Sequence, residues 1–117
     1  MSVPDRAVAI EVMGWTPLGA HYWVPASGST MDACLERELP PYTEDIPAAM
    51  QVVAKMESDG WRWSVYGPSG GYNCTFYRAV PADEDAWKLT RSRIADTLPQ
   101  AICEAALAAK RAAKEAQ

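Results

Sequence analysis

GWRWSVYGPSGGYNCTFYRA, residues 60–79, gathers Trp61, Trp63, Tyr66, Tyr72, Phe76, Tyr77 and two arginines around a Gly-Pro-Ser-Gly-Gly break. Before the break, Trp61, Trp63 and Val65 alternate with Arg62, Ser64 and Tyr66, the two-residue period of a strand. After it, Tyr72, Cys74 and Phe76 alternate with Asn73, Thr75 and Tyr77. An antiparallel hairpin of the two gives one apolar face and one face of Arg, Ser, Tyr, Asn and Thr. The loop leaves the register open, so this matching of faces is an expectation. The tryptophans are assigned to the core, and the other face is half solvated, covered by a helix, or a surface that grips a ligand.

Helices are expected on both sides of this hairpin in sequence. In TEDIPAAMQVVAKMESDG, Thr43 or Asp45 can accept from free first-turn amides, Pro47 lies where its missing N–H costs little, and Gly60 suits the stop. Ile46, Ala49, Met50, Val53 and Met56 recur at three- and four-residue steps, a stripe that must face a core. Towards the C-terminus, Thr97 with Gln100 forms a capping box, and Leu98, Ile102, Ala105 and Ala109 make one face. The tail AAKRAAKEAQ favours helix and puts positive charge near the negative end of the dipole, with little to bury. One domain over 1–109 is expected, with 110–117 a helical extension or frayed tail.

Upstream, Asp5 is placed as the cap of a first short helix, with Val8, Ile10, Val12 and Met13 supplying apolar surface and Gly14 ending it. His21 to Val24 reads as a short strand. Residues 25–41 read as a loop with a helical turn around Met31 to Leu39, and residues 80–92 as a polar connection leading to an edge strand at Arg91 to Ala95.

The 117 residues are enough for one domain with its own core. A net charge of -4 argues against nucleic acid as a direct partner. The charge is uneven: residues 1–60 hold nine acids and three bases, residues 61–117 six acids and eight bases. A local anion site is therefore compatible with the total. Cys34, Cys74 and Cys103 lack metal-ligand spacing and read as reduced thiols, with Cys74 and Cys103 buried. The start has no secretion signal and no stretch approaches the ~20 apolar residues of a membrane span, so a cytoplasmic, membrane-free location is expected.

"VMGW" at 12–15, "LPPYTEDIPAAMQVVAKM" at 39–56, the strand pair beginning "GWRWSV" and "ADTLPQAICEAALAA" at 95–109 together resemble the phage ABA sandwich domain family of small bacteriophage and prophage proteins. The resemblance implies an α+β fold, a three-layer α/β/α sandwich with a small antiparallel sheet. It brings no catalytic residues with it.

Catalytic machinery is hard to assemble from the remaining residues. His21, the one histidine, reads as structural or solvated, and Asp83, Glu84 and Asp85 as a solvated loop. No enzyme activity, metal or cofactor is expected. Binding is better supplied: Trp15, Trp23, Tyr42, Tyr66 and Tyr77 exceed what the helix stripes need, and arginines offer planar donors to phosphate or carboxylate. The candidate ligand-binding set is Trp23, Arg62, Tyr66, Tyr77, Arg78, Arg91 and Arg93. The favoured expectation is a non-enzymatic phage accessory protein, active in counter-defence, that sequesters a small anionic, nucleotide-like host immune signal and self-associates into a homo-oligomer. The alternative is an inhibitor of a host protein acting through Glu36, Glu38, Glu44 and Asp45.

Overall fold

The computed structural model describes residues 4–18, 22–25, 28, 34–35, 38–67, 71–78 and 89–115, with the backbone alone at 18, 89–93 and 115. His21, Glu36 and residues 79–88, with the three acids at 83–85, lie outside these. The chain is α+β, with helices and two small antiparallel sheets. In order, the elements are α1 (Asp5–Val8), which runs on into a π-helical segment (Ala9–Met13), β1 (Thr16–Leu18), β2 (Tyr22–Val24), β3 (Cys34–Leu35), α2 (Ile46–Ser58), β4 (Arg62–Tyr66), β5 (Tyr72–Arg78), β6 (Leu89–Ala95) and α3 (Leu98–Glu115).

The hairpin forms, in a register that matches the two faces as expected. Trp63 pairs with Phe76, Val65 with Cys74, Arg62 with Tyr77, and Tyr66 with Asn73, so the apolar and polar sets do separate onto opposite faces. β6 joins the other side of β5, giving the order β4-β5-β6. The edge strand seen from Arg91 in the sequence begins two residues earlier, at Leu89. α3 packs on β5 and β6, burying Cys74 and Phe76 of the central strand completely. Val65, on edge strand β4, stays exposed although its strand position belongs to the apolar face.

The second sheet, β1-β2-β3, is an addition to the expected single sheet. Cys34 and Leu35, read from sequence inside a helical turn, pair instead with Trp23 and Tyr22 of β2.

α2 ends as its sequence dictates. Asp45 Oδ2 accepts from Ala48 N at 3.1 Å at the start. At the end, Gly60 N donates to Glu57 O and Trp61 N to Met56 O, both at 3.0 Å, with Gly60 at φ 94°, a left-handed terminus that only glycine enters without strain. The buried stripe is Ala48, Ala49, Val52, Val53 and Met56. Ile46 and Met50, counted into the stripe from sequence, lie outside it and are exposed. The buried face is rotated from the spaced stripe, with Ala48 and Val52 in place of Ile46 and Met50.

Asp5 does not cap its own helix: Pro4 holds that position, and Asp5 Oδ1 accepts from Thr43 N at 2.8 Å, fastening the N-terminal helix to the lead-in of α2. Gly14 ends the segment in the left-handed conformation, as expected. Val8 of α1 and Ala9 and Val12 of the π turn are buried, and Ile10 is exposed. At the start of α3, Gln100 N donates to Thr97 Oγ1 at 3.4 Å, the backbone half of the capping box. Helix α3 buries Ala101, Ala105, Ala106, Ala109, Ala112 and Ala113. This run of small side chains lets the helix approach the sheet on one side and α2 with the N-terminal segment on the other. Residues 110–115 continue this helix, and their alanines are packed.

Candidate functional site

Strand parity divides the candidate residues. Arg62, Tyr66 and Tyr77 share the face turned away from α3, with Arg62 directly opposite Tyr77 and Tyr66 69% exposed. Arg78 follows Cys74 and Phe76 and so belongs to the opposite, helix-covered face. Its guanidinium lies over the Trp61 ring, 4.7 Å from the centroid. Arg91 and Arg93 occupy backbone positions of β6 paired with Phe76 and Cys74, and their side chains lie outside the described ones. Trp23 belongs to the other sheet and is 2% exposed, with Arg6 over its ring at 5.3 Å. Of the candidates whose side chains are described, Arg62, Tyr66 and Tyr77 share one face, while Arg78 and Trp23 lie away from it.

Tyr42 and Trp15 also leave the binding inventory. Tyr42 is 1% exposed, its hydroxyl accepts from Trp15 Nε1 at 3.0 Å, and its carbonyl accepts from the Cys103 thiol at 3.2 Å. Burial pushes the Tyr42 phenol above its ordinary value, only partly offset by the indole hydrogen bond. Burial likewise pushes the Cys74 and Cys103 thiols up to about 12, so both behave as small core side chains. Among the acids of the alternative reading, Glu38 Oε1 accepts from Leu35 N at 2.8 Å and Asp45 caps α2.

Arg78 instead opens onto a cleft that the hairpin alone does not suggest. The cleft, of about 430 Å³, is lined by Ile10, Glu11, Arg78, Lys110, Arg111, Ala113 and Lys114. The π turn presents Ile10 and Glu11, the end of β5 presents Arg78, and the last turns of α3 present the rest. Among the described residues, four cations thus face one carboxylate in a chain of net charge -4.

The carboxylates tune these cations. Glu11 holds Arg111 through two bonds, Arg111 Nε to Oε1 at 2.8 Å and Nη2 to Oε2 at 2.7 Å. The Arg111 bond holds the Glu11 carboxyl below its usual value against a desolvation cost, with the charges of Arg111 and Lys114 adding to it. Behind the cleft, Lys110 donates to Asp59, the residue that terminates α2, and Lys55 lies 3.5 Å from the same carboxylate. Burial raises the Asp59 carboxyl, but the Lys110 bond and the two lysine charges outweigh it and leave it lowered. Even with Asp59 counted beside Glu11, the four cations keep an excess of two positive charges. Among the described residues no carboxylate pairs with Arg78 or Lys114.

Beneath Arg78, the Trp61 Nε1 donor is buried without a hydrogen-bond partner among the described residues. No group of three or more His, Cys, Asp or Glu among the described residues has the arrangement of a metal site. No described helix is long and apolar enough to cross a membrane.

Sequence reasoning misses Lys110, Arg111 and Lys114 as site residues, because on a tail with little to bury their charge is accounted for by the negative end of the α3 dipole. The signal that finds them is the spacing of Ala105, Ala106, Ala109, Ala112 and Ala113. It carries the apolar face through the tail and so forces the intervening cations to one rim.

The family model of the phage ABA sandwich domain matches residues 6–107. That stretch spans α1 through most of α3 and stops short of Lys110, Arg111 and Lys114. No curated protein and no solved structure matches the chain. The matched architecture of helices and small antiparallel sheets is consistent with the three-layer sandwich of the name, and the chain belongs to the phage ABA sandwich domain family, a family of phage proteins.

Proposed function

We propose that this phage protein is a non-catalytic accessory protein that holds a small anionic, nucleotide-derived molecule in the Arg78–Lys114 cleft and acts by sequestering it. The observation that carries the reading is the convergence of Arg78, Lys110, Arg111 and Lys114 on one concavity against a single lining carboxylate among the described residues. In an acidic protein such a local excess is where an anion concentrates. The volume falls within the ~300–1,000 Å³ range of small-ligand sites, and Ile10 with Ala113 gives the cleft an apolar wall for a base while the cations take phosphate. A host nucleotide signal removed by stoichiometric binding is the finer form of this proposal, and it requires no turnover.

The test is calorimetric titration with cyclic nucleotides, nucleoside diphosphates and ADP-ribose, followed by recovery of the ligand. Saturable one-to-one binding, a raised melting temperature and intact released ligand are expected. An unchanged melting temperature at millimolar concentrations of every member of the panel counts against the reading, and a chemically altered ligand counts against sequestration.

A further inference from the structure

The Glu11–Arg111 pair lies inside the cation-rich cleft. A carboxylate on a guanidinium, with two parallel bonds, is the geometry a phosphate group also adopts on arginine. We infer that Glu11 is a displaceable internal occupant of the cleft: its carboxylate holds on Arg111 the place that one phosphate of a diphosphate ligand takes, while the second phosphate falls to Arg78 and Lys114. This inference rests on the anion-binding reading of the cleft.

Three observations carry it. The pair is open to solvent, with side-chain exposures of 57% for Arg111 and 36% for Glu11, so exchanging one anion for another on Arg111 uncovers no buried charge. Glu11 belongs to the π-helical segment Ala9–Met13, and with Ile10 it lines the cleft. A π turn interrupts the ordinary helical ladder and is a frequent feature of functional positions. Finally, the cations fall into two groups. Arg111 and Lys110 each hold a carboxylate, whereas Arg78 and Lys114 hold none among the described residues. One oxyanion satisfies only the second group. A ligand with two adjacent oxyanions satisfies both, by pushing Glu11 aside.

The experiment titrates inorganic pyrophosphate and orthophosphate into the full chain and its Glu11→Gln variant at one fixed ionic strength. Pyrophosphate is expected to bind the wild-type protein more tightly than orthophosphate. Glu11→Gln, which keeps the shape and removes the competing charge, is expected to tighten orthophosphate about fivefold. In the wild-type protein, the Arg111 Nε–H resonance is expected to follow the pyrophosphate titration, a readout independent of how the variant folds. Wild-type binding with an unmoved Arg111 resonance, or with equal orthophosphate affinity in a folded Glu11→Gln protein, overturns the displacement while leaving the cleft as an anion site. Equal affinity for the two anions overturns the diphosphate assignment. No binding by either protein overturns the cleft reading and this inference together.

Discussion

Arg78 and Trp61 are stacked at the seam between the hairpin and α3, with the guanidinium carbon 4.7 Å from the centre of the indole ring. Trp61 is also the residue whose amide closes the end of α2. One arginine thus covers a core tryptophan and lines the cationic cleft. Arg78→Ala removes the cation–π contact, worth about 0.5–2 kcal/mol, together with the packing of the aliphatic stem. Urea unfolding should show a loss of about 1–2 kcal/mol. Arg78→Lys keeps the charge but not the planar stack, and should recover only part of that loss.

Gly60 offers a cleaner test of the α2 terminus. A Cβ there meets nothing closer than Arg78 Cδ at 4.0 Å, so substitution adds no clash and the cost is the left-handed backbone itself. Gly60→Ala should destabilise by about 1–2 kcal/mol in urea unfolding while leaving the fold intact by circular dichroism. An unaltered midpoint would show that the terminus is not held in that conformation.

The last helical turns are part of the core. A chain ending at Ala109 loses the buried methyl groups of Ala112 and Ala113 and the ion pairs of Lys110 and Arg111. At about 0.8 kcal/mol per buried methyl-sized group, this shortening should cost about 2 kcal/mol and lower the melting temperature by several degrees. A frayed tail would be removed without effect.

Acid should weaken the same junction. The carboxyls of Asp59 and Glu11 both titrate lower in the folded protein than in the unfolded chain. Their stabilising contributions are therefore complete above about pH 4, the unfolded value, and are lost as pH falls through the lower folded values. Urea midpoints measured from pH 6 down to pH 2.5 should fall in that window, and the Asp59→Asn, Glu11→Gln double variant should fall less steeply. Parallel profiles for the two proteins would remove these pairs as the cause.

The three thiols should separate under alkylation. Cys34 is half-buried, whereas Cys74 and Cys103 are fully buried with thiols pushed up to about 12. Iodoacetamide at pH 8 should label Cys34 first in the native protein, with the other two reacting only on unfolding, as read by peptide mass spectrometry.

Much of this fold is legible in the sequence because alternation and capping are local. The hairpin faces, the Asp45 cap, the Gly60 stop and the Thr97 cap follow from residues a few positions apart. What escapes is set by partners distant in the chain. Three- and four-residue spacing from Ile46 picks out one α2 stripe, yet Ala48 and Val52 face the core while Ile46 and Met50 do not, since the close approach of alanine-rich α3 favours the smaller residues there. Asp5 spends its carboxylate on Thr43, 38 residues later, which no local capping rule anticipates. For the site, Arg78 stacks on Trp61, a ring the sequence assigns to the core, while Arg62, Tyr66 and Tyr77 share the other face. Parity from Cys74 and Phe76 already puts Arg78 on the face opposite Tyr77. The cations of α3 became visible only once the alanines were seen to dock the tail.

The central claim is that anions enter at the rim formed by Arg78 and the end of α3, and not on the sheet face of Arg62, Tyr66 and Tyr77. Titrating a nucleoside diphosphate into isotopically labelled protein and following amide and side-chain resonances tests this most directly. The account predicts saturable shifts at Glu11, Arg78, Lys110, Arg111 and Lys114, abolished in an Arg78→Ala, Lys114→Ala double variant that still folds. Shifts confined to Arg62, Tyr66, Tyr77 and Ile94, or an unmoved spectrum at millimolar ligand, would contradict it.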